Sequence, residues 1–239
     1  MKISLFHFKH LYFDVLANFL IILGIVFVIG WIGPLLLDEA WFIIKDLRHQ
    51  TFQLIPSKEV PATFTGSVAK AGGSPFKDLL YGNVVGIIPV NTDFSLVIEK
   101  LGVNVPIVDN VSITNNQQYV TALQQGVAHA SISPYPSDTP GNVYLFAHAS
   151  LDFWRLGKYA RVFNLLHKLE LKDKIHVFYD NRIYVYEVVN KETMPGWNTY
   201  PIERPVIEPT LTLQTCDPPG TTLNRFVVTA KLVNIKSLN

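Results

Sequence analysis

A single cysteine, Cys216, ends the apolar run TLTLQTC, and beyond the loop DPPGTTLN an arginine, Arg225, opens the run RFVVTAKLV. If the two runs are antiparallel neighbours, the thiol and the guanidinium face each other at the mouth of that loop. A thiolate is the nucleophilic form of cysteine and is favoured by an adjacent cation, and the oxyanion of an acyl transfer needs a fixed hydrogen-bond donor. Arg225 suits either task. The plain alternative is a buried, unreactive thiol beside a solvated arginine.

A thiol nucleophile also needs a proton partner, for which histidine is the usual choice. The chain has seven histidines. His7, His10 and His49 lie outside the β-rich part of the sequence, and His167 and His176 sit in or beside amphipathic runs. His129 lies just past a helix stop, where a structural role is the simpler reading. His148 follows the apolar run NVYLFA and precedes ASLDFW, so a strand aims it at a loop-rich end. On this pattern His148 is the first candidate for acid/base work and His129 the second.

The elements that must carry these residues are mostly strands. SLVIEKLGVNVPIVDNV reads as two strands broken at Gly102, and KIHVFYDNRIYVYEVV as a hairpin turned at Asp180 and Asn181. TLTLQTC and RFVVTAKLV add two more. The segment TNNQQYVTALQQG predicts a helix capped by Thr114, with Gln117 reaching back and Gly126 as the stop. A weaker helix is expected over VFNLLHKL. Many short strands and few helices predict an antiparallel barrel or sandwich.

Upstream of these strands the texture is different. VLANFLIILGIVFVIGWIGPLLL, residues 15–37, carries no charge and is long enough to cross about 30 Å of hydrocarbon. It exceeds the apolar core of a cleavable signal and lacks a small-x-small exit, which favours a retained anchor. Lysines and arginines on its two sides nearly balance, so charge does not orient it. The expected division is an N-terminal segment over residues 1–14, the anchor over 15–37, a Pro/Gly/Ser-rich stalk over 38–86 that holds the domain off the membrane, and the β-rich domain over 87–239. The stretch AKAGGSPFKDLLYGN within the stalk is able to fold over a cleft. A formal net charge of +1 argues against nucleic acid as a partner. No His, Cys or acidic grouping has the spacing of a zinc or calcium site, so no metal and no cofactor is expected.

TLQTC has the Thr-Leu-x-Thr-Cys form found in sortases, the membrane-anchored cysteine transpeptidases of the bacterial cell surface. NRFVV resembles the segment bearing the family's arginine, and ALQQGVAHASISPYPSDTPGNVYLFAHAS the one leading to its histidine. The resemblance covers roughly residues 94–233. It lies nearest the C, D and E classes and leaves the subgroup open. Pilus-assembling members often carry an upstream Asp-Pro-aromatic lid; the Asp-Pro here, Asp217-Pro218, follows the cysteine and leans away from that role.

The resemblance implies a closed eight-stranded sortase-type β-barrel with short helices, mainly β, behind one transmembrane helix. It assigns Cys216 as nucleophile, His148 as acid/base partner and Arg225 as stabiliser of substrate and oxyanion. Leu213 and Thr215 match fixed motif positions and are expected to shape the cleft. Ala147 stands where many members carry glycine. Asp217 opposes thiolate formation if its side chain points inward, while its backbone N–H is placed to donate to the oxyanion.

The implied reaction attacks the Thr-Gly carbonyl of an LPXTG-like signal near the C-terminus of a secreted protein. The resulting thioacyl enzyme is then resolved by an amine, from a peptidoglycan precursor or a pilin lysine. The implied placement is the plasma membrane, single-pass, with the N-terminus inside and the barrel outside. Two other readings are weighed. An L,D-transpeptidase is disfavoured because its Ser-x-Gly-Cys-like string is missing, and a non-catalytic barrel that binds or scaffolds surface proteins would tolerate loss of the thiol.

Overall fold

The computed structural model describes residues 3–55, 67–69, 83–149 and 157–238. Eight strands close into a barrel in the order β10 (Pro209–Asp217), β11 (Asn224–Ser237), β9 (Arg182–Pro195), β8 (Lys174–Tyr179), β4 (Phe94–Ile98), β5 (Val103–Val111), β6 (Val127–Ala130) and β7 (Gly141–Phe146). The pairs β5/β6 and β7/β10 are parallel and the others antiparallel. Closure removes free sheet edges and makes every strand two-faced. On β10, Leu211 and Leu213 point into the barrel beside Leu96, Ile175 and Tyr186, so Thr212, Gln214 and Cys216 fall on the outer face. Phe163, Leu166 and Leu169, from a chain of turns and a 3-10 turn at Leu166–Lys168, complete this interior. The helix expected over VFNLLHKL is therefore only that short turn.

The hairpin between β8 and β9 turns at Asp180 and Asn181, both at positive φ, as expected. The expected helix is α2, Asn116–Gln125, with a different cap: Asn115 Oδ1 accepts from the backbone N–H of Gln118. Asparagine competes well with threonine at this position, and the chain enters the helix one residue later than the Thr-x-x-Gln pattern suggests. Gly126 does end the helix, for a steric reason. Its backbone is extended, and a Cβ there would lie 2.2 Å from the Pro106 carbonyl oxygen. Leu123 and Ala122 of α2 pack with Val111, Ala128, Tyr144 and Phe146 in a cluster on the outside of the barrel.

The N-terminal helix α1 runs from Ile3 to Leu47, 45 residues, well past the expected end of the anchor at residue 37. Its window Phe13–Gly30 has a mean hydropathy of 2.5 and is not buried at all, as befits a membrane anchor. Residues 38–55 and 84–86, expected within a free stalk, lie instead on the barrel. Trp41 of α1, Phe52 of β1 (Thr51–Leu54) and Val85 and Ile87 of β3 (Val84–Ile87) pack against Val97, Phe178, Ile183 and Val185. Strand β3 pairs in parallel with β1 on one side and with β2 (Ser67–Ala69) on the other. The reason is compositional: these short runs carry aromatic and β-branched residues that cover an apolar outer wall. Residues 56–66 and 70–82, with most of the proposed cleft-covering stretch, lie outside the described residues.

Candidate active site

Strand register assembles the site. Cys216 pairs directly with Arg225 across the antiparallel β10/β11 ladder. On its other side β10 runs parallel to β7, with Thr212 level with Tyr144 and Gln214 level with Phe146. The pairing continues past the end of β7: Ala147 N–H donates to the Gln214 carbonyl at 3.2 Å and Thr215 Oγ1 donates to the Ala147 carbonyl at 3.1 Å. His148 and Cys216 each lie two residues beyond the Phe146–Gln214 pair. Histidine, cysteine and arginine thus come from three neighbouring segments: the exit of β7, the end of β10 and the start of β11.

All three side chains line an open cleft of about 660 Å³. One flank is apolar and aromatic, from Ile113, Tyr119, Tyr144 and Phe146. The other is formed by Trp197, Asn198 and Thr199 and by Thr221 and Thr222, while Ile202 of the short helix α3 (Tyr200–Glu203) packs against the cluster that holds Tyr144 and Phe146. Gly196 sets the distance between the two loops of this second flank. Its N–H donates to the Leu223 carbonyl at 2.8 Å, and a Cβ would lie 2.1 Å from the Thr222 carbonyl oxygen. Glycine is needed here for close approach, since its φ is not in the left-handed region.

The electrostatics describe a neutral resting pair. Arg225 Nη1 lies 3.6 Å from Cys216 Sγ and also donates to the Asn224 carbonyl at 3.2 Å. Burial nonetheless pushes the Cys216 thiol above its ordinary range, and the guanidinium draws it back only in part. Burial likewise holds the His148 imidazole below its usual value, and its Nε2 makes no hydrogen bond to the described residues. Tyr119 stands edge-on to the His148 ring, 6.2 Å between centroids, and stacks on Phe146 at 5.1 Å. Its own hydroxyl is held above its ordinary value by burial first and by the thiolate charge second.

The remaining expected residues sit differently. Leu213 is fully buried inside the barrel and contributes no surface to the cleft. Thr215 is buried and acts on the site from behind, through its bond to Ala147, itself buried in the same interior. Asp217 turns toward β9, where it accepts from Thr193 Oγ1 at 3.3 Å. His129 lies on β6 with only 1% of its surface exposed; its Nε2 meets Ser133 Oγ at 2.9 Å and the Pro134 carbonyl at 3.1 Å, and its ring packs on Phe94 and Tyr135. It plays a structural part away from the cleft.

Tyr144, Phe146 and Gln214, two or four positions before His148 and Cys216, share their strand faces by alternation, a signal present in the sequence beyond the expected site residues. Trp197 and Ile202 carried no such signal, because a loop remote in sequence brings them to the site. Among the described residues, no group of His, Cys, Asp and Glu side chains is arranged to hold a metal ion.

The molecule is a closed eight-stranded β-barrel protein with a thiol, an imidazole and a guanidinium lining one cleft. Residues 96–233 match the family model described as Sortase domain, and the chain belongs to the sortase family, whose members are cysteine transpeptidases. No curated protein sequence matches it significantly.

Among solved structures, the chain is similar to sortase E1 from Streptomyces coelicolor with a tripeptide in its active site. That match has 22% identity and a TM-score of 0.51, over 62% of this chain and 91% of that one. Sortase A from Corynebacterium diphtheriae matches at 21% identity with a TM-score of 0.50, over 60% of this chain and 61% of that one. Both share the fold. The apolar helix α1 suits a membrane anchor, as is general in this family.

Proposed function

We propose that this sortase uses Cys216 as nucleophile, His148 as proton carrier and Arg225 as the donor that steadies substrate and oxyanion. The observation that carries the reading is convergence: Cys216 pairs with Arg225 in the β10/β11 ladder, His148 follows the end of the neighbouring β7, and all three side chains line one cleft. Attack begins from the neutral pair. As the sulfur of Cys216 bonds to the carbonyl carbon of the scissile peptide, its proton passes to His148, and the negative charge moves to the carbonyl oxygen beside Arg225. The C–N bond then breaks, and the imidazolium returns its proton to the departing amine. An incoming amine reverses these roles: His148 takes its proton, the new amide forms and the thiol leaves.

Within this reading the substrate is a secreted protein with an LPXTG-type C-terminal signal, and the acceptor an amine of the cell wall or of another surface protein. The apolar flank of Ile113, Tyr119 and Phe146 is suited to the hydrophobic part of such a signal. The N-terminus then lies on the cytoplasmic side of the membrane and the barrel on the outer side, where those substrates arrive.

The test is intact mass of the full chain in detergent after incubation with a pool of LPXTG-type peptides and no amine. A peptide fragment, less its C-terminal portion, is expected on Cys216. Ready alkylation of Cys216 without any acyl adduct from the pool would reject LPXTG-type signals. A Cys216 that neither acylates nor alkylates would reject the catalytic reading.

A further inference from the structure

We propose that the barrel rests directly on the membrane surface, with the segment around Lys158, Tyr159 and Arg161 set into the phospholipid headgroup layer. The inference rests on reading α1 as the membrane anchor. The helix is continuous from Ile3 to Leu47, so the part that would cross the bilayer and the part that touches the barrel are joined with no loop between them. Its uncharged stretch runs to Leu37, and barrel contact begins at once. Leu35 is half-buried, whereas Leu36 and Leu37 on the other side of the helix are 63% and 50% exposed.

The very next residues are tied down. Asp38 accepts from Asn164 Nδ2 at 2.9 Å and pairs with Arg161 at 3.4 Å, and Glu39 pairs with His167 at 3.0 Å and Lys168 at 2.7 Å. Two turns on, Lys45 Nζ donates to the Lys100 carbonyl at 3.0 Å, and Trp41 between them is buried. Held along this whole length, the helix cannot swing away from the barrel.

Distances then locate the barrel. Asp38 lies about 1.5 Å along the axis beyond Leu37, the end of the uncharged stretch. The headgroup layer extends roughly 5–8 Å beyond the hydrocarbon on each side. Whatever binds Asp38 at hydrogen-bond distance must therefore lie at headgroup depth. The chemistry of the neighbouring segment fits that depth: Lys158 is exposed with its ammonium 4.7 Å over the ring of half-buried Tyr159. A lysine beside a tyrosine is suited to a boundary where phosphates lie above and acyl chains below. The cleft is thus held at a fixed height above the bilayer, with no slack between domain and anchor.

The test uses the full chain in phospholipid nanodiscs, with a photoreactive benzoylphenylalanine in place of Phe19 or, separately, of Lys158. After irradiation, intact mass reads whether one phospholipid has been added. An adduct at position 19 and a comparable yield at position 158 are expected. An adduct at 19 with none at 158 would overturn the inference and leave the anchor standing. No adduct at either position would overturn both.

Discussion

At the scale of single residues, the site depends on how three side chains share charge in a half-enclosed cleft. Removing the nucleophile in Cys216→Ala is expected to abolish transpeptidation, and removing the proton carrier in His148→Ala to lower it by about 10²–10⁴-fold. Arg225→Ala is expected to lower kcat/KM by roughly 10²–10³-fold with the melting temperature unchanged, since the guanidinium acts on developing charge at a partly exposed strand end. Steady-state assays with matched melting curves check all three.

The pH dependence follows from the directions of the shifts. Burial lowers His148 and raises Cys216, so the neutral pair is the main form across neutral pH. Activity should therefore rise with pH as the imidazolium loses its proton below about 6.5, hold a plateau, and fall as the thiol ionises above its ordinary 8.5. Iodoacetamide labelling of Cys216 against pH tests the second limb: a thiolate midpoint above that ordinary value is expected, moving higher still in Arg225→Ala. A midpoint below neutrality would mean a stable ion pair and overturn the neutral-pair mechanism.

At the scale of elements, loops and caps hold the cleft walls in place. Gly196→Ala forces a methyl group against the Thr222 carbonyl and should push the two loops of one flank apart. The expected result is a raised KM for the sorting peptide with an unchanged rate of Cys216 alkylation by a small reagent. A parallel fall in both would mean the chemistry itself had been displaced. On the opposite flank, Asn115→Ala removes the cap of α2 and is expected to cost about 1 kcal/mol, read by denaturant unfolding.

At the scale of the whole molecule, stability is shared between the barrel interior and the N-terminal layer that covers its outer wall. Trp41 is 3% exposed against Phe52, their rings 6.2 Å apart, so Trp41→Ala should cost about 3–5 kcal/mol if this layer unfolds together with the barrel. A loss confined to proteolytic release of the N-terminal layer, with an unchanged barrel transition, would show the two to be separate units. Acid should destabilise the fold for a defined reason. Burial lowers the folded-state values of both His129 and His148, so the unfolded chain takes up protons first. Stability is full above about pH 6.5 and is lost as pH falls from there through the lowered folded-state values. Melting temperatures across pH 7.5 to 5 should therefore decline, and less steeply in His129→Gln.

The sequence by itself determined what is local or periodic: strand alternation that places Cys216 and Gln214 on the face opposite Leu213, the Asp180-Asn181 turn, the glycine that stops α2, and an uncharged run long enough to be an anchor. It also carried the Thr-Leu-x-Thr-Cys string, from which the family was legible. Tertiary structure decided which distant residues meet. Parallel pairing of β7 with β10 brought His148 and Cys216 to one cleft, a loop distant in sequence brought Trp197 and Ile202 to it, and His129 went to a buried structural bond with Ser133. The same packing turned an expected stalk into a layer on the barrel. Its short apolar runs have no periodicity long enough to read on their own, and become an element only when the wall formed by Val97, Phe178 and Val185 is there to be covered.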